Sequence, residues 1–362
     1  MSTEPSDPSE PIMPTTLKVV PEEARQFHYT VGTPDWHFAL LLPPRWRPTA
    51  GATAPVEPSP PVWSLAQFHD ETRASGPEAE VYASMVAREI SAADWLEEFF
   101  AERSIEVLRR RRIDTPQAGD RLDALTRRPS PIGPIISRWF TLKDGGHDGA
   151  RILFVEARAR ESDYARVADD LLLIIGSCRL LQPSGWPFAE RLRTASAASP
   201  GDFVIHYPQS WSERAVEPRP GEHVVELLHE YRGEPVGQIT VVCTRDVTGP
   251  EDLMERHIKT LMQRGLTVSR SPIRVMSPFG GLEAAWERRE VASEGAVGTD
   301  QPPFDVHMSV GRRGDIWYLF ALLGVSKARI RTLGGINERA YEIVQRLLRT
   351  GPAEALQPPP GN

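Results

Sequence analysis

The chain has 362 residues, of which 40% are hydrophobic and 25% charged, and its 42 basic and 49 acidic side chains give a formal net charge of −7. These values are typical of a soluble globular protein of about two domains, and they argue against a dedicated nucleic-acid binder. No apolar run approaches the roughly 18 residues that a membrane span needs, and no secretory pattern follows Met1. We therefore expect a cytoplasmic protein without stable membrane insertion.

Proline, with 34 residues, is concentrated in three segments of the chain. The first, residues 1–35, is also rich in acidic side chains, and the last is the tail at 351–362. We expect both to be disordered, because neither has a hydrophobic period. The third segment, 48–61, is predicted to be a Pro-rich insertion that forms a surface loop, since proline cannot complete a central β-ladder.

A short motif, aromatic-x4-Pro-x2-Trp, occurs twice. It opens at Phe38 and again at Phe203, 165 positions later (203 − 38). Self-similarity at a fixed offset indicates an internal repeat. We predict two copies of one domain, at 36–190 and 200–350, with a boundary in the Pro-, Gly- and Ala/Ser-rich stretch 182–200. The motif residues are Phe38, Pro43 and Trp46 in the first copy and Phe203, Pro208 and Trp211 in the second.

Each motif is followed by the same order of predicted elements. Extended segments come first, then an amphipathic helix, a glycine turn, three further strands and a closing helix. In the first copy these are a helix at 95–100, strands at 121–126, 135–142 and 150–159, and a helix from Tyr164 to Cys178. In the second copy they are a helix at 253–262, strands at 282–291, 304–310 and 315–323, and a helix at 340–348 with Asn337 as its predicted N-cap. This order predicts an α+β fold, duplicated in tandem, in which helices pack on one face of an antiparallel sheet.

The pattern resembles the PsbP-like fold and, within it, the DcrB-like proteins that include the Eag chaperones of bacterial type VI secretion. The resemblance rests on the two aromatic-Pro-Trp openings, the helix after the third strand, the glycine turn and the terminal helix, and it extends over nearly all of 36–350. It implies two tandem PsbP-like domains. Domains of this fold serve several unrelated functions, so the fold alone does not choose among them.

The Eag resemblance implies a non-enzymatic chaperone or adaptor that shields the hydrophobic transmembrane helices of a client effector. Eag chaperones usually act as dimers of a single domain. Two copies in one polypeptide would form a covalent pseudo-dimer, which leaves open whether the chain also forms a homodimer. The insertion at 48–61 departs from the Eag pattern.

Residues that carry catalytic or metal chemistry form no known motif in this sequence. The motifs HExxH, GxxxxGK[ST], GxSxG and a GxGxxG after a strand are all missing, and the nine histidines lack helical i, i+4 pairing. Cys178 and Cys243 lie far apart, which indicates neither a disulfide framework nor a zinc knuckle. We therefore predict no enzyme activity and no catalytic, cofactor-binding or metal-binding residues.

Three local features have a structural interpretation that we prefer to the functional one. Gly145–Gly149 is interpreted as a hairpin loop rather than a phosphate-binding loop, because no helix follows it. Arg109–Arg112 is interpreted as a solvated helix end rather than a contact with nucleic acid or lipid, because acidic residues precede it. His257 is interpreted as a core histidine rather than a ligand.

The strand predicted at 315–323 is apolar on both faces. Alternation places Tyr318 and Phe320 on one face and Trp317 and Leu319 on the other, whereas a sheet with helices on one side is expected to be polar on the other. The second face is covered either within the chain or by a homodimer mate, or else by a hydrophobic client. The client hypothesis gives five predicted client-binding residues: Trp139, Ser137, His307, Trp317 and Leu319.

Two other functions remain open on the sequence alone. One is a small-molecule or lipid-binding or lipid-processing protein of the PsbP-like fold, with a polar cluster that the sequence does not assemble. The other is a structural adaptor that uses the Pro-rich segments as polyproline II ligands.

Overall fold

The structure, a computed structural model, describes residues 13–14, 16, 21–49, 62–72, 76–115, 119–146, 148–197, 201–217, 220–294 and 303–350. The predicted tail at 351–362 and most of the insertion at 48–61 lie outside these residues. The chain divides into two compact units, Met1–Ala189 and Glu190–Asn362, and the division falls inside the stretch 182–200.

The described part of the first unit holds ten strands, two α-helices and a short 3-10 helix at Pro34–Trp36. Seven strands form one sheet in the order β3-β4-β5-β9-β8-β7-β6, and β1-β2-β10 form a small second sheet, with all pairings antiparallel. The elements are β1 (Arg25–Tyr29), β2 (Phe38–Leu42), β3 (Trp46–Thr49), β4 (Val62–Asp70), β5 (Glu78–Val86), α1 (Ala92–Glu102), β6 (Glu106–Thr115), β7 (Gly119–Arg128), β8 (Ile135–Asp144), β9 (Ala150–Arg160), α2 (Glu161–Ser177) and β10 (Arg179–Leu180).

The second unit is built in the same way. Its large antiparallel sheet has the order β13-β14-β15-β20-β19-β18-β16, with β17 also paired to β18, and β11-β12-β21 form the small sheet. The elements are β11 (Leu192–Ala197), β12 (Phe203–Pro208), β13 (Trp211–Arg214), β14 (Glu222–Tyr231), β15 (Glu234–Thr244), α3 (Pro250–Gln263), β16 (Leu266–Val268), β17 (Arg274–Met276), β18 (Ala284–Glu294), β19 (Phe304–Arg313), β20 (Ile316–Val325), α4 (Arg331–Arg346) and β21 (Arg349–Thr350).

The two units repeat one topology. Each strand of the first large sheet corresponds to the strand at the same place in the chain order of the second, apart from the added β17, and the small sheets correspond likewise. The α+β class with antiparallel sheets is confirmed. A shared strand order is what a tandem duplication requires.

One helix lies on each face of each large sheet, whereas the sequence led us to expect both helices on one face. In the first unit, Leu153 of β9 belongs to the core beneath α2, while its neighbour Phe154 contacts Trp95 of α1 with ring centroids 5.1 Å apart. In the second unit, Phe320 belongs to the α4 core and Leu319 to the α3 core. The strands that are apolar on both faces are therefore strands buried between two helices.

The two motif tryptophans are buried, and we call them the anchor tryptophans. Trp46 and Trp211 are each 1% exposed at the start of β3 and β13. Trp46 pairs with Asp70 and Trp211 with His229, so the two residues have the same place in the register of their sheets.

Part of the segment predicted to be disordered is a strand. Residues Arg25–Tyr29 pair with β2 along their full length, because their aromatic side chains reach the core. The rings of Phe27 and Tyr29 lie 6.3 and 5.0 Å from that of Phe38. The prediction of disorder is thus wrong for this strand, while residues 1–12 lie outside the part of the chain that is described.

The arginine run Arg109–Arg112 is part of edge strand β6 rather than a helix end. Alternation along the strand sends its guanidinium groups to both faces. Arg110 pairs with Glu97 of α1 at 3.1 Å, and Arg111 pairs with Asp123 of β7 at 2.9 Å. Both arginines are thus ion-paired to acidic residues of the first unit.

Asn337 lies inside α4 rather than at its start, since the helix begins at Arg331. It is fully buried. Its Oδ1 lies 2.8 Å from Nδ1 of His229, and its Nδ2 donates to the carbonyl of Val236 at 2.8 Å. A Cβ at Gly237 would lie 2.5 Å from Asn337 Oδ1, so the glycine admits this buried amide.

The glycines of the Gly145–Gly149 loop receive the segment that leads to the second unit. Gly145 N donates to the Trp186 carbonyl at 2.8 Å, and Gly146 N donates to that of Phe188 at 3.1 Å. A Cβ on Gly145 would lie 2.0 Å from the Phe188 oxygen, so no larger residue fits. The loop joins β8 to β9, which confirms the hairpin interpretation.

Candidate ligand pocket in the second unit

The predicted client-binding residues Trp139 and Leu319 do not lie on an open face. Trp139 is 3% exposed and packs against Phe99 and Phe100 of α1, with ring centroids 5.7 and 5.3 Å apart. Leu319 is 1% exposed and belongs to the core beneath α3. The prediction of an open face is wrong for both, because each unit covers its second face with its own first helix.

The other three predicted residues are also engaged within their units. Trp317 is half-buried and packs against Trp286 at 5.7 Å between ring centroids. Ser137 is buried and donates to Glu156 at 2.7 Å. His307 lies on the opposite face from Trp317, beneath α4. The five residues therefore do not form one surface.

His307 is a neutral core histidine. Burial, followed by the charges of Arg289 and Lys327, lowers its pKa to about 4, against the opposing effect of Asp305. Its ring lies 6.3 Å from that of Tyr341 on α4. A group held neutral in this way contributes to packing rather than to recognition of a client.

A cavity of about 330 Å³ lies in the second unit between α3 and the sheet, and we call it the α3 pocket. Its volume is at the lower end of the range of small-molecule sites, roughly 300–1,000 Å³. Three walls enclose it: one side of α3, the faces of β14 and β15 that point toward α3, and the chain just after β13.

The helical wall follows from the spacing of residues along α3. Leu253, Arg256, His257, Thr260 and Arg264 line the pocket, the last as the C-cap of the helix. Positions i, i+3, i+4, i+7 and i+11 share one side of a helix. This side flanks the buried stripe that packs on the sheet. His257 is thus a half-buried pocket residue, and its interpretation as a core histidine is wrong.

The floor follows from strand alternation. Glu222, Val224 and Glu226 are alternate residues of β14, and Thr240 and Val242 are alternate residues of β15. Alternate residues of a strand point to one face. The floor therefore has an apolar centre and polar ends, with Leu319 of β20 at its back.

The third wall is the chain from Arg214 to Glu217. Arg214 is paired with Glu226 in the β13–β14 register, so the two side chains are neighbours on the α3 face. Arg214 and Glu217 are both exposed. Neither makes an ion pair with another residue in the described part of the chain.

A chain of polar contacts crosses the end of the pocket next to the C-terminus of α3. Arg264 Nη2 donates to Glu226 Oε1 at 3.3 Å, and Arg264 Nη1 donates to Gln238 Oε1 at 3.3 Å. Gln238 Nε2 donates to the hydroxyl of Thr240 at 3.1 Å. The hydroxyl proton of Thr240 is then available to an acceptor in the pocket.

Arg256 differs from Arg264 because its charge is compensated within the helix. Its Nε and Nη2 each donate to the carboxylate of Asp252 at 3.0 Å. Hydrogen bonds from Thr248 and Arg256 lower the pKa of Asp252. The pair is a bidentate i, i+4 contact, which leaves Arg256 little capacity for a ligand.

The strand registers identify the equivalent place in the first unit. Asp70 and His229 are the strand partners of the two anchor tryptophans, so they mark equivalent positions. Three residues earlier in the same strands lie Gln67 and Glu226. Gln67 pairs with Glu80, which pairs with Glu156. Glu226 pairs with Thr240, which pairs with Ala321. Glu80 and Glu156 in the first unit thus correspond to Thr240 and Ala321 in the second.

Large polar side chains occupy this place in the first unit and form hydrogen bonds with one another. The hydroxyl of Tyr82 donates to Glu80 Oε2 at 2.7 Å, and Gln67 donates to Glu80 Oε1 at 3.0 Å. Arg158 Nη1 donates to Glu156 Oε2 at 3.0 Å. Burial, followed by the charges of Glu156 and Glu80, raises the pKa of Tyr82 well above its ordinary value. The polar groups of this cluster are therefore hydrogen-bonded to one another beneath α1.

Sequence reasoning missed the α3 pocket, since its residues come from separate elements. The one local signal was the polar side of the helix at 253–262, where His257 was assigned to the core.

Within the described ranges, no group of three or more His, Cys, Asp or Glu side chains could hold a metal ion. None of the described helices has the length and apolar character needed to cross a membrane.

No protein-family model matches this chain, and no curated protein matches it. Among solved structures, cyanobacterial PsbP (CyanoP) from Synechocystis sp. PCC 6803 is 14% identical, covers 47% of this chain and 99% of its own, and has a TM-score of 0.33. The di-domain ARO/CYC StfQ from the steffimycin biosynthetic pathway is 10% identical over 72% of this chain and 91% of its own, with a TM-score of 0.14. DynU16, from the dynemicin biosynthetic locus, is 11% identical over 83% of this chain and 97% of its own, with a TM-score of 0.11. These TM-scores are all below 0.5, so the fold is taken from the strand order.

Proposed function

We propose that this chain is a non-enzymatic binding protein that takes up a small amphipathic molecule in the α3 pocket. One observation carries the proposal: the two copies differ at the same place in the fold. Thr240 faces Ala321 in the second unit, where Glu80 faces Glu156 in the first. Thr240 lines the α3 pocket, and it is smaller than the glutamate at the equivalent place in the first unit.

The walls of the pocket support an amphipathic ligand. Val224, Val242 and Leu319 offer apolar surface, and burial against such surface stabilises a complex by about 25 cal/mol per Å² removed from water. Arg264 and Glu226 provide fixed polar groups at one end. A few placed polar groups in an apolar pocket are what orients a small ligand.

The chaperone function implied by the Eag resemblance has less support. A client helix could reach the apolar sheet faces only if α1 or α3 left them. The α3 residues Leu253, Met254, Ile258 and Leu261 are at most 2% exposed, so removing the helix would expose a whole core. We therefore propose uptake of a small molecule in preference to shielding of a protein client.

Titration with the fluorescent amphiphile anilinonaphthalene sulfonate tests the proposal. We expect one site per wild-type chain and loss of that site in Thr240→Tyr, which fills the floor, and in Thr260→Tyr, which fills the helical wall. Filling an existing cavity avoids most of the overpacking cost of about 1–3 kcal/mol. The matched control is Thr267→Tyr, at an exposed strand position of the same unit.

The control should bind the dye as the wild type does. Uptake that persists in both pocket variants, with circular dichroism and melting temperature showing that they are folded, would place the dye elsewhere and overturn the proposal.

A further inference from the structure

An apolar patch lies outside the α3 pocket, on the sheet face against which α3 packs. Trp286 of β18 and Trp317 of β20 are half-buried there, and the centroids of their rings lie 5.7 Å apart. Val275 of the short strand β17 is the strand partner of Trp286, so it lies on the same face, and it is 83% exposed. We call these three residues the Trp patch. None of them lines the α3 pocket.

Arg312 adds a positive charge beside the Trp patch. It is the strand partner of Trp317, and its guanidinium carbon lies 5.7 Å from the centroid of the Trp317 ring. Arg312 is exposed, and among the residues that the structure describes no carboxylate pairs with it. Tryptophan and arginine side chains are enriched among the residues that dominate protein interfaces. The patch and Arg312 therefore suit a partner that offers an apolar group next to a carboxylate.

The first unit has an equivalent of this position in its own sheet. Ile152 of β9 is equivalent to Trp317 of β20, since each lies four residues before one of the equivalent residues Glu156 and Ala321. Ile152 is fully buried, whereas Trp317 is half-buried. The same position is thus covered in the first unit and partly open in the second.

The chain that precedes α1 binds the basic neighbour of this position in the first unit. Lys143, the strand partner of Ile152, donates to Glu89 Oε1 at 2.6 Å and to the carbonyl of Ile90 at 2.8 Å. Glu89 and Ile90 are both buried. The first unit therefore supplies, from its own chain, a carboxylate followed by an aliphatic residue.

The corresponding chain of the second unit does not bind Arg312. Residues 245–249, between β15 and α3, include one acidic residue, Asp246, which is exposed and is not paired with Arg312. Arg245 pairs with Asp315 at 3.1 Å. The positive charge of Arg312 and the apolar surface of the Trp patch are thus left for another molecule.

We propose that the Trp patch and Arg312 bind an exposed segment of a partner protein in which an acidic residue is followed by an aliphatic one. The carboxylate pairs with Arg312, and the aliphatic side chain packs on Trp286, Trp317 and Val275. This inference is independent of the proposed function, because it concerns a different surface of the second unit.

NMR spectroscopy of the full chain with a capped tetrapeptide, Ala-Glu-Ile-Ala, tests the inference. The chain has nine tryptophans, whose indole N–H signals are observed in a proton–nitrogen correlation spectrum, and the variants Trp286→Phe and Trp317→Phe assign two of them. We expect the peptide to shift the signals of Trp286 and Trp317. Ala-Gln-Ile-Ala, without the charge, and Ala-Glu-Ser-Ala, without the aliphatic side chain, should each bind about threefold to fivefold more weakly.

Two exposed residues allow the two contacts to be tested separately. Arg312→Gln should weaken Ala-Glu-Ile-Ala by about twofold to fivefold, as for an exposed ion pair, and leave Ala-Gln-Ile-Ala unchanged. Val275→Ser should weaken both of these peptides. The matched controls are Arg193→Gln and Val291→Ser, at exposed positions of the same unit, and they should bind all three peptides as the wild type does.

Several outcomes would overturn the inference. Among them are the absence of any shift at Trp286 and Trp317, equal binding of the three peptides, and loss of binding in Thr240→Tyr, which would place the peptide in the α3 pocket. Signals of Trp286 and Trp317 that shift with protein concentration alone would identify a second copy of the chain as the occupant. Binding only to a chain that ends at Thr350 would identify the residues after Thr350 as the occupant instead of a partner protein.

Discussion

Arg138 of the first unit and His307 of the second occupy the same place in the two copies. Trp139 pairs with Glu156, and Met308 pairs with Ala321. Since Glu156 and Ala321 are equivalent positions, Trp139 is equivalent to Met308. The residues before them, Arg138 and His307, are then equivalent as well. Both side chains are buried beneath the closing helix of their unit. Each unit thus has a basic residue beneath its closing helix, and the two residues are accommodated in different ways.

In the second unit the basic residue is neutral, which makes stability depend on pH. The pKa of His307 is about 4 in the folded state, against about 6.5 in an unfolded chain. The unfolded state therefore binds more protons between these values, and the free energy of unfolding falls as the pH drops from about 6.5 to 4, by about 3 kcal/mol in total. Around His307 the charged groups are Glu338, Lys327, Arg289 and Asp305.

The His307→Gln variant should lose this pH dependence of the free energy of unfolding. We expect wild-type and variant stabilities, measured by urea unfolding, to converge as the pH falls from about 7 to about 4.5. A constant difference across that interval would show that His307 is not held neutral in the folded chain.

In the first unit the basic residue is charged and paired. Arg138 is fully buried, and its Nε and Nη2 donate to Asp123 at 3.1 and 2.9 Å. Asp123→Leu leaves the buried guanidinium uncompensated and should cost about 3–5 kcal/mol. The double variant Asp123→Leu, Arg138→Leu should recover most of this loss, because it removes both charges. No recovery in chemical denaturation would contradict the view that the uncompensated charge is the cause.

The anchor tryptophans should have the same energetic role in each unit. Trp46→Ala and Trp211→Ala each remove a fully buried indole and should cost about 3–5 kcal/mol. Neither Nε1 atom has a hydrogen-bond partner within the described residues, so Trp→Phe at each position should cost much less than Trp→Ala. A near-neutral Trp→Ala, measured by the unfolding transition of its unit, would show that the anchor is dispensable.

A single charged substitution tests whether α3 covers the face of the sheet on which Leu319 lies. Leu319→Glu places a carboxylate beneath α3 and should destabilise the second unit by several kcal/mol, since a buried unpaired charge is costly. Val275 is 83% exposed, so the control Val275→Glu should change the melting temperature by only a few degrees. A folded Leu319→Glu chain with wild-type stability would mean that α3 does not cover this face.

The repeated order of elements in the two units was accessible from the sequence because its signals are local. The spacing from Phe38 to Trp46 recurs from Phe203 to Trp211, and the apolar periods of the helices and strands are strong. The side of the sheet on which each helix packs was not accessible. Periodicity shows that Leu319 and Phe320 lie on opposite faces, but it does not show which helix covers either face.

The pocket was not accessible for a related reason. Its floor depends on the register that places Thr240 of β15 beside Glu226 of β14, and on the threonine that stands where the first unit has Glu80. Edge strand β6 was missed because its four arginines lack an apolar period. Their partners Asp94, Glu97 and Asp123 come from other elements, so the ion pairs appear only in the fold.

Native mass spectrometry of the full chain, purified from its own cells, tests most directly whether the α3 pocket binds a small molecule. The account predicts one small-molecule adduct per chain in the wild type and in the control Thr267→Tyr, and none in Thr240→Tyr. An adduct that Thr240→Tyr retains, two equivalent adducts per chain, or a wild-type chain with no adduct would contradict it.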